Sequence, residues 1–198
     1  EMGQGLFTKV RKIVADTFGI SSQSVKISAT DTNKVPNTSA TAASSGTDLN
    51  GMAAYLAASQ IKDRMTAYLS QLYQCDISDV VFSSGKIIIS GEEKMTFSQA
   101  AEQCWMGRVS LSSTGFYKTP DIYWDAEKGK GRPFYYFVYG AAVSEVVLDT
   151  LTGENRVIRV DILHDVGRSI NPAIDKGQIE GGFVQGLGWL SMEELVYA

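Results

Sequence analysis

The stretch Val80-Val-Phe-Ser-Ser-Gly-Lys-Ile-Ile-Ile89, followed by Met95-Thr-Phe-Ser-Gln99, decides the fold class. Two short apolar runs on either side of a Ser-Ser-Gly-Lys turn predict an antiparallel β-hairpin. Thr96 and Gln99 have the spacing of a capping box, which predicts a short helix ending near Trp105. Helices and antiparallel strands without regular strand–helix–strand alternation predict an α+β fold, with mixed helices and antiparallel or mixed sheets in a layered sandwich.

The residues before this hairpin predict two helices joined by a strand and a loop. Apolar residues at helical spacing begin at Leu6, and Gly19 stands where a C-cap is expected. Residues 48–73 predict a second, longer helix, with the aspartate at its first position as N-cap. Between the helices, residues 25–29 alternate like a strand, and the Ser- and Thr-rich residues 31–45 predict a loop.

The residues after the hairpin and its helix predict two strands. Residues 135–149 and 157–163 are rich in β-forming residues, and the segment 149–154 predicts the loop that joins them. In the second strand Arg159 and Asp161 alternate with apolar neighbours, so we expect one face covered and one face wetter.

A glycine-rich helix is predicted to follow Asn171 and Pro172, which have the residue types of an N-cap and a first helical position. Five glycines fall inside this helix, and each costs about 1 kcal/mol relative to alanine. Such a cost needs a compensating reason, either the close packing of another backbone or the approach of a ligand. These glycines are Gly177, Gly181, Gly182, Gly186 and Gly188.

Composition predicts a folded protein of 198 residues with 44% hydrophobic residues, and we divide it into halves 1–110 and 111–198. A net charge of -4 disfavours a nucleic-acid or anionic-membrane partner. Cys75 and Cys104 form no disulfide framework, so we expect reduced, buried thiols and a cytoplasmic location. A single histidine, His164, argues against a histidine-based metal site, and we assign no metal ligand.

Three segments could carry chemistry, although each has an ordinary structural explanation. The Gly3-Gln4-Gly5 turn opens a helix and could bind an anion or a carbonyl group, or it could be a simple tight turn. Residues 37–48 run into a helix N-terminus and could bind phosphate, or they could only cap their own helix. Residues 181–188 carry Gln185 and could approach a ligand, or they could serve close helix packing.

Together these segments resemble the molybdenum hydroxylase family, and within it the xanthine dehydrogenase branch. The resemblance covers essentially the whole chain in collinear order. Its motifs are Glu1-Met-Gly-Gln-Gly-Leu-Phe-Thr-Lys9, Val35-Pro-Asn-Thr-Ser39 with Thr41-Ala-Ala-Ser44, Gly115-Phe-Tyr-Lys-Thr-Pro120, Tyr139-Gly140 with Ser144-Glu145, and Asp165-Val-Gly-Arg-Ser-Ile-Asn-Pro-Ala-Ile-Asp175 through Gly188.

The resemblance implies a molybdopterin cofactor held by two glutamines and a small-residue loop. The glutamine of the Gly-Gln-Gly turn and that of the glycine-rich helix would contact the cofactor, and the Ala-Ala-Ser loop would approach its phosphate. Gly46 departs from the family pattern of a serine at this position, which removes one hydroxyl contact. The implied cofactor-binding residues are Gly3, Gln4, Ala43, Ser44, Ser45 and Gln185.

The implied reaction is the hydroxylation of hypoxanthine or xanthine with oxygen from water, with electrons leaving through 2Fe-2S clusters and FAD on other domains or subunits of an oligomeric enzyme. No glutamate in this chain matches the family's catalytic base, so we assign no catalytic residue and expect a fragment that is inactive alone. Two alternatives stay open. The enzyme could act on aldehydes or other N-heterocycles, or the chain could be a non-catalytic scaffold half that needs a partner subunit.

Overall fold

The computed structural model describes residues 3–34 and 41–197. The chain forms two compact units, which divide between Thr119 and Pro120. We call them unit 1 and unit 2 and treat each by itself. The division into halves 1–110 and 111–198, each with part of the cofactor site, is inferred from the sequence and stays a prediction. No helix in the described ranges combines the length and the apolar character needed to cross a bilayer.

The described part of unit 1 consists of three helices and a three-stranded antiparallel sheet, and the predicted helices and hairpin are confirmed. Short 3-10 turns at Ser22–Ser24 and Ile77–Asp79 connect these elements. Thr96 and Gln99 form the predicted capping box. The elements in chain order are α1 (Leu6–Phe18), α2 (Gly46–Tyr73), β1 (Val80–Ser83), β2 (Lys86–Ile89), β3 (Glu92–Thr96) and α3 (Phe97–Met106).

The strands of unit 1 are joined by two turns of the same kind. Ser84 and Gly85 between β1 and β2 have φ values of 52° and 77°, and Ser90 and Gly91 between β2 and β3 have 52° and 82°. Two consecutive residues at positive φ form the turn that matches the twist of a hairpin. The sheet order is therefore β1-β2-β3, and β3 is a strand that the sequence analysis missed.

Helices α1 and α2 pack side by side and run in the same direction. A Cβ on Gly51 would lie 2.8 Å from Ile13 Cδ1, so the two helices approach closely at this point. Further along both helices, Lys62 Nζ donates a hydrogen bond of 2.8 Å to the Thr17 carbonyl oxygen. Because the contacts advance along both helices together, the N-termini of α1 and α2 lie at the same end.

The core of unit 1 lies between α2, α3 and one face of the sheet. Leu69 on α2, Ile87 on β2 and Cys104 on α3 are all inaccessible to solvent. Burial raises the pKa of the Cys104 thiol, and Cys75 is half-buried. Both cysteines are free, as predicted.

Two predictions for the first 50 residues are wrong. Residues 25–29 are not a strand, because extended backbone needs a ladder partner and no described strand pairs with this segment. Asp48 is not the N-cap of α2, since the helix begins two residues earlier with Ser45 as N-cap and Asp48 in its first turn.

Unit 2 contains two antiparallel hairpins and one long helix. The short strands β4 (Tyr123–Asp125) and β5 (Lys130–Arg132) form the first hairpin, which the sequence analysis missed. Strands β6 (Gly140–Leu148) and β7 (Asn155–His164) form the second, joined by the predicted loop. Within that loop the backbone N–H of Asp149 donates to the Glu154 carbonyl oxygen at 2.8 Å.

Part of the prediction for this hairpin is wrong. Residues 135–139 are not strand, because they lack a partner strand. Strand β7 ends at His164, and the next residue, Asp165, donates the last backbone hydrogen bond of the hairpin to the Tyr139 carbonyl oxygen. After that bond the chain turns at Gly167, which has a φ of 64° and donates its backbone N–H to Asp165 Oδ1, and the pairing with residues 135–139 does not continue. The expected covered face is not found either, since no described residue from 120 onward is buried.

Helix α4 (Pro172–Ser191) begins as predicted. The Asn171 side chain accepts a hydrogen bond of 3.2 Å from the backbone N–H of Ile174, and Pro172 occupies the first helical position. A Cβ on Gly177, Gly181, Gly182 or Gly186 would meet no described atom within 4 Å. Packing within the described residues therefore does not explain these four glycines.

An extended segment at the end of unit 1, residues 109–119, lies along α2, and we call it the strap. Arg64 Nη2 donates to the Ser112 carbonyl oxygen at 3.0 Å, and Ser113 Oγ donates to Gln60 Oε1 at 2.6 Å. Two residues further along the strap, a Cβ at Gly115 would lie 1.8 Å from the backbone oxygen of Ala53. Only glycine fits between the strap and the α2 backbone at this point.

We predict that Gly115→Ala lowers the free energy of unfolding by about 1–3 kcal/mol, because the added methyl group must push the strap away from α2. The measurement is denaturant unfolding of the purified protein. Thr114→Ala is the matched control, since Thr114 is the exposed neighbour on the strap, and its effect should stay within about 0.5 kcal/mol. Equal losses for the two variants would contradict the tight contact.

Candidate functional site

The candidate site lies in unit 1, where the N-termini of α1 and α2 meet. We call the segments 3–5 and 43–45 the paired N-termini. Each immediately precedes its helix, and the parallel packing of the helices places both at one end. A helix N-terminus carries about half a positive elementary charge, so two of them side by side favour a negatively charged or carbonyl-rich ligand.

Gln4 connects the two segments across 40 positions of sequence. Its Nε2 donates a hydrogen bond of 3.2 Å to Ser44 Oγ. Its Oε1 is buried and accepts no hydrogen bond from the residues that the structure describes. An unpaired buried carbonyl oxygen costs about 1–3 kcal/mol, so this atom is a candidate acceptor for a ligand N–H or O–H group.

The glycines on either side of Gln4 explain the shape of this turn. Gly3 and Gly5 have φ values of 81° and 68°, in the region that residues with a Cβ seldom adopt. Gly5 is also the N-cap of α1 and, having no side chain, cannot satisfy the first N–H groups of the helix. The turn therefore presents backbone donors together with the Gln4 side chain.

The second segment is held in an uncommon backbone conformation. Ala43 and Ser44 both have positive φ, 55° and 52°, which costs about 1–2 kcal/mol per residue without glycine. Ser45 is the N-cap of α2, but its hydroxyl donates to the Ala42 carbonyl oxygen at 3.2 Å and makes no capping bond. Ser44 in the left-handed region is followed by Ser45 at φ -78° and ψ 6°, and such a change of handedness aims successive backbone N–H groups into a concave anion-binding nest.

Ser45 is an N-cap that the sequence analysis could have found. It stands three residues before Asp48, the spacing at which a serine N-cap commonly precedes an acidic residue in the first turn. Asp48 is the acidic residue in the first turn of α2, whereas the first turn of α1 has none. A bound anion would therefore lie closer to α1 and to segment 43–45 than to the Asp48 carboxylate.

The structure brings together Gly3, Gln4, Ala43, Ser44 and Ser45 of the predicted site residues, all in unit 1. Gln185 belongs to unit 2, near the middle of α4, where its side chain is exposed and forms no hydrogen bond with the described residues. Three of the open glycines of α4 lie within four residues of it. The described residues contain no group of three or more His, Cys, Asp or Glu placed to hold a metal ion.

Comparison with known proteins identifies the family. All 198 residues match the molybdopterin cofactor-binding domain. The chain belongs to that family. It is 49% identical to xanthine dehydrogenase of Oryza sativa subsp. japonica over 195 residues and 46% identical to xanthine dehydrogenase/oxidase of Gallus gallus over 198 residues. These alignments cover 98% and 100% of this chain but 13% of either relative, and they confirm the resemblance drawn from sequence.

Solved structures confirm the fold of this molybdopterin-binding domain. Quinoline 2-oxidoreductase from Pseudomonas putida 86 superposes with a TM-score of 0.78 and 25% identity, and the match covers 100% of this chain and 25% of that protein. The Cu,Mo-CO dehydrogenase superposes with a TM-score of 0.77 at 22% identity, over 100% of this chain and 24% of that one, and shows the shared fold alone. The predicted α+β class is correct.

We predict that Ala43→Gly stabilises the domain relative to Ala42→Gly by about 1–2 kcal/mol, because glycine adopts positive φ without a clash of its Cβ. Ala42, the adjacent alanine, does not have a positive φ. Both variants make the same substitution, so they add the same flexibility to the unfolded chain. Paired thermal unfolding measures the difference. Equal melting temperatures would show that the loop does not hold the strained conformation in solution.

Proposed function

We propose that this chain is the cofactor-binding part of a molybdenum hydroxylase of the xanthine dehydrogenase type, an oxidoreductase. The observation that carries the proposal is the side chain of Gln4, whose amide donates to Ser44 while its Oε1 is buried and accepts no hydrogen bond from a described residue. A pterin ring offers N–H groups of the kind that this oxygen needs. The residues present therefore fit the molybdopterin cofactor that the family binds.

The paired N-termini supply what the anionic end of the cofactor requires. Backbone N–H groups at Ala43 and Ser44, together with two helix dipoles, would stabilise a phosphate without a dedicated lysine or arginine. The exposed Ser44 hydroxyl can donate to a phosphate oxygen while still accepting from Gln4. Ser45 supports this arrangement through its bond to Ala42, which fixes the turn.

Gln185 on α4 is the proposed contact from unit 2. Its exposed amide can both donate and accept, as a pterin edge requires. The glycines near it leave open space where other residues would carry side chains, so a flat ligand could approach the helix closely. This gives the costly glycines a function that packing within the described residues does not provide.

The bound cofactor would supply the redox chemistry of the hydroxylation, while this chain holds and orients it. We propose hypoxanthine and xanthine as substrates because the two relatives above, one from a plant and one from an animal, are named xanthine dehydrogenase and xanthine dehydrogenase/oxidase. We place 2Fe-2S clusters, FAD and the glutamate that acts as general base outside these 198 residues, on other parts of an oligomeric enzyme. The chain alone is then inactive.

One alternative substrate class has a specific observation in its favour. Quinoline 2-oxidoreductase matches the whole chain at 25% identity, and its name describes action on another N-heterocycle. The much higher identity to xanthine dehydrogenases favours purines. Aldehyde oxidation and a non-catalytic scaffold role have no comparable support from the structure.

We predict that Gln4→Ala and Gln185→Ala, each introduced into the full-length protein, lower its molybdenum and pterin content. Each variant removes a proposed amide contact, and loss of one such hydrogen bond weakens retention of the cofactor up to about tenfold. The measurements are elemental analysis for molybdenum and fluorescence of the oxidised pterin, both independent of activity. Gln178→Ala is the matched control, because Gln178 is also an exposed glutamine on α4.

Unchanged molybdenum and pterin in either glutamine variant, at unchanged melting temperature, would remove that residue from the proposed site. A fall in the Gln178→Ala control would show instead that any truncation on α4 disturbs the unit.

We predict that the full-length enzyme hydroxylates hypoxanthine and xanthine with a higher kcat/KM than quinoline or benzaldehyde. Steady-state assays with an artificial electron acceptor compare the four substrates on one preparation of known molybdenum content. A preference for quinoline or benzaldehyde would overturn the substrate assignment while leaving cofactor binding in place. Turnover by the isolated 198-residue chain would overturn the proposal that the base lies outside it.

A further inference from the structure

Unit 1 contains a second recess that the cofactor site does not use. A cavity of about 550 Å³ lies between the last turns of α2, strand β3 and helix α3. Its walls include Tyr68 and Tyr73 from α2, Met95 from β3, and Gln103 and Met106 from α3. This volume falls within the range of pockets that bind small molecules.

The cavity is remote from the paired N-termini. Tyr68 lies 22 residues after Gly46 along α2, which corresponds to about 33 Å at a helical rise of 1.5 Å per residue. The pterin and its substrate therefore do not account for this cavity, and a change at the cavity wall should leave the paired N-termini intact.

Gln103 provides an unpaired acceptor beside the cavity. This side chain borders the cavity, and its Oε1 is buried without a hydrogen-bond partner in the described part of the chain. Leaving such an oxygen unpaired costs about 1–3 kcal/mol. Rotation of the carboxamide toward the cavity would let the oxygen accept a hydrogen bond from a ligand, and rotamer changes of this size are common on binding.

The remaining walls favour an aromatic ring. The thioethers of Met95 and Met106 can make sulfur–aromatic contacts with a ring between them. Tyr68 forms a firm wall, because its ring lies against Gly107, where an added Cβ would be 2.3 Å from the ring carbon Cζ. Met106 is 70% exposed, so the apolar rim is open to an incoming ligand.

The charges around the cavity disfavour an ionic ligand. Lys94, the cation on the cavity wall, is already paired with Glu92 at 2.5 Å. Glu102, also on the wall, would repel an anion. A cation would in turn be repelled by Lys94, so a neutral ligand avoids like-charge repulsion of either sign.

We propose that this cavity binds a small, uncharged aromatic molecule that carries one N–H or O–H donor, which bonds to Gln103 Oε1 while its ring packs between Met95 and Met106. This inference stands independently of the proposed hydroxylase function.

The test uses indole, which has one N–H donor, and benzothiophene, which has a similar shape and no donor. Saturation-transfer NMR with the full-length protein measures the dissociation constant of each probe. We expect Gln103→Met to weaken indole binding about tenfold, as loss of one hydrogen bond implies, and to leave benzothiophene unchanged. Gln71→Met is the matched control, because Gln71 is an exposed glutamine near the same end of α2 that does not line the cavity.

The comparison of the two probes on the unmodified protein needs no variant, and indole should bind about tenfold more tightly than benzothiophene. Absence of indole binding would overturn the proposal. So would indole binding that Gln103→Met leaves unchanged, which would place the probe at another site such as the cofactor end. An equal loss in Gln71→Met would show a nonspecific effect on α2 and would also overturn it.

Discussion

The close approach of α1 and α2 at Ile13 and Gly51 determines where the candidate site can form. Because residue 51 has no side chain, the isoleucine of α1 reaches the surface of α2, and α1 packs in parallel with the first part of α2. Parallel packing is what places two positive helix ends together; antiparallel helices would place a positive end beside a negative one. The Gln4–Ser44 hydrogen bond then connects segments that the helices have already aligned. The site is thus a consequence of helix packing, completed by two short segments with unusual backbone conformations.

Sequence predicts the elements whose signals are local. The Thr96–Gln99 capping box, the Asn171 N-cap and the Gly19 C-cap all depend on contacts within about four residues, and all three are found. Elements that depend on a distant partner are predicted less well. Alternation at residues 25–29 resembles a strand, but a strand requires a neighbour with free hydrogen-bonding groups, and no described strand provides it. The missed strand β3 had a local signal, since the Ser90-Gly91 turn repeats the chemistry of Ser84-Gly85 one strand later.

The candidate site shows the same division. That Gly3, Gln4 and Gly5 open a helix can be predicted from adjacent residues, and so can the polar character of the loop before α2. Contact between Gln4 and Ser44 could not be predicted from physical patterns, because it depends on the direction in which α2 packs. The family resemblance supplied both residues before the structure joined them. Neither the local sequence patterns nor the family resemblance indicated that Gln4 Oε1 is buried without a described donor, because this depends on how the carboxamide packs.

The two units differ in what holds them together, and this difference bears on how the domain works. Unit 1 has solvent-free side chains such as Leu69 and Ile87, so its helices and sheet form a core. Unit 2 has none among its described residues, and large apolar side chains such as Phe137 and Leu163 are 69% and 77% exposed. Apolar surface of this extent is rarely left in water, since each such side chain gains about 1.5–3 kcal/mol on full burial. Within unit 2, the β6–β7 hairpin and α4 therefore leave much apolar surface uncovered. Gln185 lies in this unit without buried residues, whereas Gln4 lies in the unit that has a core. The two proposed glutamine contacts therefore differ in their support, since a hydrogen bond to Ser44 fixes the Gln4 side chain inside a packed unit, whereas the exposed Gln185 side chain makes none with the described residues.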